Sequence, residues 1–497
     1  MAISKSTIEA FVNKLEKARV PMHALLLMQG DELIAEGYYA PFKKGELHRM
    51  FSIAKSINAL AIGILEAEGK LKLSDPIANY FPDKVPTDVH PFVSSMTIED
   101  LLMMRTCHAA TTYQKINPTV EWVESFFITP PTHKPGTVFH YDTSAAHTLG
   151  MLVKRLTGQD SLSFLKEKAL REIGWSEDSY IMPNDFGDPH GGSGLMCPPM
   201  DLLLLGKLLL QEGNWKGKQL LPKEYIRKAC SNLSPTVVTG PIPSEMQGYG
   251  YQIWTGEHDS FVLYGMGGQL ALCHPKYNLV CVTCADTQGF GGGNQFIYDS
   301  FYETVLAELE GEVAGNDLST SSAYSQQVSR QFSDATAERV SWNGTTIEGL
   351  QVLPACKLVT SKEAYTCSKD ICKTFHFESN KNDYQWMNLE FDATSQTGTL
   401  KYSKKGIECS IPFGIQSCAT STFPLYDWKC ATSAVWLDEN TLFIKTYLID
   451  SAVGSVSFEL YFGTATDGAK DLTVFIKKVE ETMLAEYNTH LYGKEQA

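Results

Sequence analysis

The chain has 497 residues, 43% of them hydrophobic and 20% charged, with a formal net charge of −15. This composition is that of a globular protein long enough for more than one domain. The acidic balance and the lack of a basic stripe argue against nucleic acid or an anionic membrane as a partner. No apolar run reaches the roughly 18–20 residues that span a bilayer, and the charged N-terminus lacks the apolar centre of a signal peptide. We therefore expect a cytoplasmic protein without a membrane span, a removed leader being the alternative.

The first part of the chain alternates strand and helix patterns. Residues 22–40 predict two strands around a Gln-Gly-Asp turn, and an apolar helix begins near Ser52. Residues 98–230 are mainly helical in pattern, residues 249–286 read as short strands, and a helix over 294–309 follows. This order predicts an α+β domain over residues 1–310, an antiparallel sheet flanked by helices with a helical insert.

The remainder of the chain divides into a linker and a second domain. Residues 311–337 are polar, rich in serine and without periodicity, which is typical of a linker. Residues 338–497 are nearly all strand in pattern, as in TLFIKTYLID and SVSFELYFG. We predict a C-terminal antiparallel all-β domain over 338–497, either a barrel or a sandwich.

Ser52 and Lys55 form a Ser-x-x-Lys motif where the apolar helix begins, in the stretch FSIAKS. Residues three apart on a helix share a face, so the lysine is expected one turn along beside the serine. A serine hydroxyl becomes a nucleophile when a neighbouring base takes its proton, and a lysine can be that base if its pKa is lowered by burial. Otherwise the charged lysine would stabilise an anionic partner. The motif therefore predicts a catalytic pair.

A second Ser-x-x-Lys motif, Ser163 to Lys166, lies in SLSFLKEKALREIG. Its lysine is one of several charges along the stretch, and its serine is placed as an N-terminal helix residue. We expect an ordinary solvated helix face there.

Beyond the first motif, the sequence resembles the serine β-lactamase and penicillin-binding-protein superfamily, in its class C-like esterase and amidase branch. The resemblance covers about residues 20–305, and its segments occur in the family's order. The segments are FSIAKSINALAIGILEAEGKLKLSDPIANYFP, TIEDLLMMRT, PGTVFHYDTSAAHTLGMLVKRLTG, GGSGLMCPPMDLLLLGKLLLQEGNWKGKQLLP, GYGYQIW and YGMGGQLALCHPKYNLVCVTCAD.

The resemblance implies roles for the first two motifs. Ser52 would be the acylated nucleophile and Lys55 its helix partner. Tyr141, in the second motif Tyr141-Asp142-Thr143, would be the general base or share that role, with its phenolate stabilised by Lys55. Thr143 stands where relatives often carry asparagine, so it offers a hydroxyl to a substrate but no amide.

The third motif of the family falls on Met266-Gly267-Gly268, followed by Gln269. The two glycines permit close approach of backbone to substrate. The backbone N–H groups of Gln269 and Ser52 would form the oxyanion hole. Met266 departs from the family, whose cell-wall enzymes and β-lactamases place a cation or donor near here to hold the substrate carboxylate. Hydrolysis of another ester or amide is therefore expected rather than efficient β-lactam hydrolysis.

Other patterns carry weaker indications. Adjacent Cys107 and His108 allow a Cys–His pair only if the fold orients them suitably. The glycine-rich stretch HGGSG at residues 190–194 lacks the second glycine of a nucleophile elbow and is expected to be a loop. Cys281 and Cys284 lie on a strand pattern and would face opposite sides. The sequence thus predicts no metal and no cofactor.

The sequence therefore leaves three functions open. The first is a serine hydrolase acting through an acyl-enzyme on a small ester, a D-amino-acid amide or peptide, or a similar substrate. The second is a binding or sensing protein on the same fold, because fold does not guarantee activity. The third is a β-lactamase or D,D-peptidase proper. The partner expected in each case is a small molecule or short peptide, and the sequence leaves the oligomeric state undetermined.

Overall fold

The computed structural model describes residues 3–113, 119–240, 242–311, 341–358, 365–480 and 484–496. Apart from its first residue, the linker predicted over 311–337 lies outside these ranges. The helices of the described residues are α1 (Lys5–Lys17), α2 (Ile53–Ala67), α3 (Pro91–Ser94), α4 (Ile98–Leu102), α5 (Trp122–Ile128), α6 (Thr143–Thr157), α7 (Ser161–Leu165), α8 (Arg171–Ile173), α9 (Pro199–Leu210), α10 (Lys223–Ala229), α11 (Gln295–Phe301), α12 (Ala307–Glu310) and α13 (Ala355–Leu358).

The first domain is organised around an eight-stranded sheet. Its pairings are antiparallel except for the one between β13 and β2, and its order is β12-β13-β2-β1-β11-β10-β9-β8. In chain order these strands are β1 (Met22–Gln29), β2 (Glu32–Tyr38), β8 (Trp254–Gly256), β9 (Ser260–Gly265), β10 (Gln269–His274), β11 (Leu279–Ala285), β12 (Ser341–Asn343) and β13 (Thr346–Glu348). Two small sheets are formed by β3 (His48–Arg49), β4 (Tyr180–Ile181) and β5 (Leu195–Cys197), and by β6 (Asn214–Trp215) and β7 (Lys218–Gln219).

Helices cover both faces of the large sheet. On β10 the sulfur of Cys273 lies against Gly206 of α9, while the ring of the next residue, His274, lies 5.5 Å from that of Phe301 in α11. Neighbouring residues of a strand point to opposite faces, so α9 and α11 sandwich the sheet. Every residue of β11 is buried for this reason. The predicted α+β class, with antiparallel strands flanked by helices and a helical insert, is confirmed.

The C-terminal domain is a barrel of ten strands within the described residues, with antiparallel pairings except for one parallel pairing. Its order is β17-β16-β15-β14-β23-β22-β21-β20-β19-β18, and a pairing of Gly414 in β17 with Ser433 in β19 brings the two ends of the sheet together. The strands are β14 (Ile371–Phe377), β15 (Tyr384–Asp392), β16 (Thr397–Lys404), β17 (Ile407–Gly414), β18 (Ala419–Phe423), β19 (Trp428–Trp436), β20 (Thr441–Ile449), β21 (Val453–Thr464), β22 (Lys470–Val479) and β23 (Thr489–Glu495). Alternating burial on β22, at Leu472, Val474 and Ile476, shows which side chains fill the interior.

One hairpin differs from the sequence prediction, which gave all of residues 338–497 to the second domain. Strands β12 and β13 instead extend the first sheet, with Thr346 paired parallel to Glu36 of β2. The barrel strands begin only at Ile371. Each of these strands has three residues. A sequence pattern this short does not indicate which sheet the strand will join.

The barrel contacts the first domain through the turn between β20 and β21. The guanidinium of Arg49 donates to the Ser451 carbonyl at 2.9 Å, and the side-chain amide of Gln288 donates to the Val453 carbonyl at 2.8 Å. Tyr447 of β20 is buried in the core of the first domain. Arg49 ends β3 three residues before Ser52, so this contact lies next to the predicted nucleophile. In the described residues no helix is long and apolar enough to cross a membrane.

Candidate active site

Ser52 lies at the junction between β3 and α2. The preceding residue, Phe51, has a φ of +46°, a conformation that non-glycine residues rarely adopt and that often marks functional turns. Ser52 occupies the N-cap position of α2, but its hydroxyl makes no capping hydrogen bond. The Ser52 hydroxyl is therefore not occupied by a backbone N–H of the helix, as an N-cap hydroxyl ordinarily is.

Lys55 approaches Ser52 as the helical spacing predicted. Its amine nitrogen lies 2.9 Å from the Ser52 hydroxyl oxygen and 2.5 Å from the Gly192 carbonyl oxygen. The side chain is 1% exposed, and burial lowers the pKa of Lys55 to about 7, with the charge of Asp142 opposing the shift. Near neutral pH this amine can therefore accept a proton, which an ordinary lysine cannot do.

The second motif lies immediately before and at the start of α6. Asp142 caps the helix, since its carboxylate accepts hydrogen bonds from the backbone N–H of Ser144, at 2.8 Å, and from that residue's hydroxyl. Burial raises the pKa of Asp142 to about 6, against the effect of these hydrogen bonds. The cap fixes the backbone beside Tyr141 and Thr143.

Tyr141 faces both residues of the first motif. Its side chain hydrogen-bonds with Ser52, and the Lys55 nitrogen lies 4.9 Å from the centroid of its ring. Burial raises the pKa of Tyr141, and the hydrogen bond to Ser52 only partly offsets this. At neutral pH the resting tyrosine is therefore a neutral phenol, and Lys55 is the stronger candidate to take the serine proton.

A glycine-rich loop closes the site opposite the serine. Asn58 of α2 donates its side-chain amide to the carbonyls of Gly191, at 2.8 Å, and of Ala146 in α6, at 2.9 Å. This clamp presents the Gly192 carbonyl to Lys55. A Cβ atom at Gly192 would lie 2.4 Å from the Thr143 methyl carbon, so only glycine allows the loop to pack here. The stretch is a loop, as its sequence indicated.

The turn between β9 and β10 carries the third motif. Gly267 and Gly268 have φ of +81° and +95°, which glycine adopts without strain. The Gln269 side chain points into the sheet, where its amide donates to the carbonyls of Met266, at 2.8 Å, and Ala285, at 2.9 Å. Because these hydrogen bonds occupy the Gln269 side chain, the group that Gln269 can present to a substrate is its backbone N–H.

Aromatic side chains line one side of the site. The rings of Tyr141 and Trp254 stack with centroids 5.7 Å apart, and the Tyr264 ring lies 5.9 Å from that of Trp254. Tyr249 contacts the Trp254 ring edge to face at 4.9 Å. Behind this wall lies Glu245, which is buried and hydrogen-bonded with Tyr264.

The weaker candidates lie outside this site. Cys107 and His108 are buried, and burial raises the pKa of the thiol to about 12 and lowers that of the imidazole to about 4, so they do not form an ionised pair. Lys166 donates to the carbonyls of Glu177 and Ser179 rather than to Ser163.

The described histidines, cysteines and acidic residues were the remaining candidates for metal ligands and disulfides. No group of three or more histidine, cysteine, aspartate or glutamate side chains in the described part of the chain could hold a metal ion. The cysteines of the described ranges other than Cys356 are free thiols.

Three contributors were not identified from the sequence. The Gly192 carbonyl, the Asp142 carboxylate and Glu245 reach the site through contacts between distant segments. Only the Gly192 carbonyl had a signal in the sequence. It lies in the paired glycines of HGGSG, and paired glycines often mark a backbone segment that approaches another group closely. Asp142 precedes a helical pattern, which marks it as a helix cap, but nothing local indicates that it lies beside Lys55, and nothing local distinguishes Glu245 from other acidic residues.

The chain was compared with known protein families, curated proteins and solved structures. The beta-lactamase family model matches residues 7–295. A 6-aminohexanoate-dimer hydrolase of Paenarthrobacter ureafaciens is 23% identical over 231 residues, which cover 44% of this chain and 59% of that protein. The chain thus spans about three fifths of the length of the curated relatives it matches.

Two solved structures are similar. One from Bacteroides dorei DSM 17855, provisionally named a beta-lactamase, matches with a TM-score of 0.52 and 16% identity over 61% of this chain and all of that one. The octameric penicillin-binding protein homologue from Pyrococcus abyssi matches with a TM-score of 0.49 and 16% identity over 98% of this chain and 99% of that one. The match to the family model spans more than half of the chain, which therefore belongs to the beta-lactamase family.

Proposed function

We propose that the protein is a serine hydrolase that cleaves an ester or amide through an acyl-enzyme on Ser52. The observation that carries the proposal is the contact between the Lys55 amine and the Ser52 hydroxyl, at 2.9 Å, in a setting that lowers the lysine pKa to about 7. A nucleophile with an adjacent base is the minimum that acyl transfer requires. A relative named as a hydrolase, the 6-aminohexanoate-dimer hydrolase, supports the same class.

In acylation, the Ser52 oxygen attacks the substrate carbonyl while Lys55 takes the hydroxyl proton. The bond to the leaving alcohol or amine then breaks, and the leaving group is protonated. Tyr141 is suited to that second transfer, because it is a neutral phenol hydrogen-bonded with Ser52 and lies beside Lys55. The lysine proton returns to the phenol oxygen as the phenol gives up its own, so protons balance over the step.

Two backbone N–H groups are assigned to the oxyanion that forms on the carbonyl. The N–H groups of Ile53, Ala54 and Lys55 donate to the carbonyls of Met50, Phe51 and Ser52, which leaves the Ser52 N–H outside this ladder. The second donor is the N–H of Gln269, where the two glycines let the turn approach a substrate. Donors fixed in this way stabilise developing charge without reorganising. Deacylation follows when water attacks the ester on Ser52 and gives its proton to Lys55. The bond between the acyl carbon and the serine oxygen then breaks, Lys55 returns the proton to that oxygen, and the acid is released.

Thr143 and Met266 are assigned to the substrate-facing surface. Both are partly exposed beside the site, Thr143 at the start of α6 and Met266 in the turn before Gln269. Met266 offers only apolar contact where relatives use a cation, and this favours an ester or amide other than a β-lactam.

The proposal is tested by intact-protein mass after exposure to a fluorophosphonate. We expect one adduct on the parent and none on Ser52→Ala. The Ser163→Ala variant is the matched control, because it removes the other Ser-x-x-Lys serine and should label like the parent. No adduct on the folded parent would overturn the proposal in favour of a binding or sensing protein. An adduct that survives Ser52→Ala would place the nucleophile elsewhere.

A further inference from the structure

His23 and His48 form a buried imidazole pair behind the strand that leads to Ser52. They are 1% and 4% exposed, and Nδ1 of His23 lies 3.0 Å from Nε2 of His48. The other ring nitrogen of His48, Nδ1, lies 3.0 Å from the carbonyl oxygen of Arg49. Neither ring takes part in the proposed proton transfers, so the pair acts on the site indirectly or only on the fold.

The two hydrogen bonds fix which ring nitrogen carries each proton. A carbonyl oxygen only accepts, so His48 must donate its Nδ1–H to Arg49. A neutral imidazole has one N–H, so Nε2 of His48 is an acceptor and His23 must donate its own Nδ1–H to it. Nε2 of His23 is then without a hydrogen, and it has no hydrogen-bond partner among the described residues. The donors therefore run in one direction, from His23 through His48 to the Arg49 carbonyl.

The imidazole pair is neutral over the range in which the proposed base titrates. Burial lowers the pKa of His48 to about 4, against the effect of its hydrogen bond to Arg49, and lowers the pKa of His23 well below its usual value. A second proton on His48 would turn Nε2 into a donor that faces the N–H of His23. Because the pKa of Lys55 is about 7, the directed hydrogen bonds are intact wherever that lysine changes charge.

The central sheet is locally distorted where it presents His23. Two residues of β1, Met22 and Ala24, pair with consecutive residues of β11, so His23 is the extra residue of a β-bulge. A β-bulge re-aims a side chain and is common next to active sites. The ring of Phe42 stacks on that of His23 with centroids 4.2 Å apart, which fixes the plane of the imidazole. The first donor of the chain is thus anchored in the sheet.

The Arg49 carbonyl belongs to the turn that presents the nucleophile. The next residue, Met50, donates its N–H to a carbonyl of β5 at 2.9 Å, and Phe51 follows with a φ of +46°. A rotation of the peptide between Arg49 and Met50 would move this turn, and Ser52 with it. The hydrogen bond from His48 to the Arg49 carbonyl opposes that rotation.

Strand β3 also links the nucleophile to the loop opposite it. It pairs with β5, the strand that follows the loop whose Gly192 carbonyl contacts Lys55. The end of β9 packs against the same turn, where a Cβ atom at Gly265 would lie 2.3 Å from the carbonyl oxygen of Met50. A displacement of β3 would therefore disturb the serine and its base together.

We propose that His23 and His48 are positioning residues, an imidazole chain that holds the Arg49 carbonyl and thereby sets the position of Ser52 relative to Lys55. This inference rests on the proposed hydrolase function. A misplacement of about 1 Å far from the chemistry can lower a rate about 100-fold. Loss of the chain should therefore lower kcat and the rate of serine labelling. KM should stay near that of the parent, because both rings are buried away from the substrate.

The test uses two substitutions of His48 that have the same shape. Asparagine and leucine branch alike, but only asparagine has an N–H where Nδ1 of histidine lies. We expect His48→Leu to lower kcat for p-nitrophenyl acetate, and the fluorophosphonate labelling rate, by about tenfold or more, whereas His48→Asn stays within about threefold of the parent. His274→Leu is the matched control, since His274 is also 1% exposed but lies at the end of β10 remote from Gln269.

A measurement on the parent tests the chain even if His48→Leu does not fold. The ¹⁵N NMR signals of the histidine side chains report which nitrogen of each ring carries the proton. We expect His23 and His48 to be protonated on Nδ1, their signals being identified by their absence from His23→Asn and His48→Asn. A His48 ring protonated on Nε2 would overturn the proposal, because it could not donate to the Arg49 carbonyl.

The kinetic outcomes separate this inference from the proposed function. If the parent labels and folded His48→Leu keeps the kcat of His274→Leu, the imidazole pair supports only the fold and the hydrolase proposal stands. The same follows if His48→Asn loses as much kcat as His48→Leu, because the donor to Arg49 then has no effect on catalysis. If Ser52 of the parent does not label, the hydrolase proposal fails and the positioning role fails with it.

Discussion

Lys55 and Asp142 are buried together beside the nucleophile, and burial moves the pKa of each toward neutrality. It lowers the lysine pKa to about 7 and raises the aspartate pKa to about 6. Each charge partly opposes the shift of the other. The proposed base of the serine is thus tuned by the carboxyl that caps α6, a different element from the helix that carries the motif.

The first prediction concerns the pH profile of hydrolysis. Lys55 accepts the serine proton only when neutral, so kcat/KM should rise with pH through about 7. Asp142→Asn keeps a cap for α6 but removes the negative charge that favours the lysine ammonium, so the rising limb should move to lower pH. The profile is measured with an ester that does not itself titrate, and Asp160→Asn, a cap of α7 outside the site, is the control. A shift to higher pH would contradict the coupling.

The second prediction concerns the loop that holds Lys55. Gly192→Ala should lower kcat/KM by about 10- to 100-fold, because its Cβ would lie 2.4 Å from the Thr143 methyl carbon and displace the carbonyl that Lys55 contacts. Thr143→Ser removes that methyl group, so the double variant should recover part of the loss. Recovery will be incomplete because the Thr143 carbonyl oxygen lies 3.0 Å from the same position. Additive losses would show that the steric contact is not the cause.

How far the sequence predicts this site depends on how local each contact is. Ser52 and Lys55 meet because a helix places residues three apart on one face, and that spacing is visible in the sequence. The Lys55 contact with Gly192 joins positions 137 residues apart, and the Glu245 contact with Tyr264 depends on how a short turn packs against β9. Such contacts depend on tertiary packing, which no spacing rule describes.

The same reasoning applies to the fold. Long strands with alternating burial, such as β22, were predictable, and so was the division into an α+β domain and an all-β domain. The hairpin of β12 and β13 was assigned to the second domain because its strand pattern adjoins the barrel sequence. It joins the first sheet because β2 offers an open edge beside it, a property of the folded sheet rather than of the segment.

The third prediction compares the two glycines of the turn before Gln269. Both have positive φ, so alanine at either position should cost about 1–2 kcal/mol of unfolding free energy. Gly268→Ala should cost about 1–3 kcal/mol more, because its Cβ would lie 2.8 Å from that of Ala285, whereas the tightest contact of a Cβ at Gly267 would be the Gln269 amide nitrogen at 3.1 Å. Urea unfolding measures the difference, and Ala285→Gly in the Gly268→Ala background should recover part of the excess. Equal losses at both positions would contradict the packing argument.

The fourth prediction is that the barrel stabilises the turn behind the proposed oxyanion hole. Asp286 is buried at the end of β11, next to Thr287, whose N–H donates to the Gly267 carbonyl at 3.0 Å. Lys445 of β20 is the positive charge that favours ionised Asp286, and its amine also donates to the Ser455 hydroxyl at 2.6 Å. Lys445→Met should therefore destabilise the protein by about 1–3 kcal/mol and lower kcat, because it leaves the carboxyl buried without that charge.

A double-mutant cycle decides whether this effect passes through Asp286. Asp286→Asn removes the charge that Lys445 balances, so Lys445→Met should cost less in that background, in both unfolding free energy and kcat. Lys470→Met, at the start of β22 and away from Lys445, is the control and should change neither quantity by more than about 0.5 kcal/mol, since its lysine is exposed. If the effects of the two substitutions are additive, the barrel affects the site through other contacts. The hydrogen bond from Arg49 to the Ser451 carbonyl is then the next contact to test. If the effects are coupled, the second domain helps to hold the proposed oxyanion hole in place, through the same β20–β21 region that contacts Arg49 and Gln288.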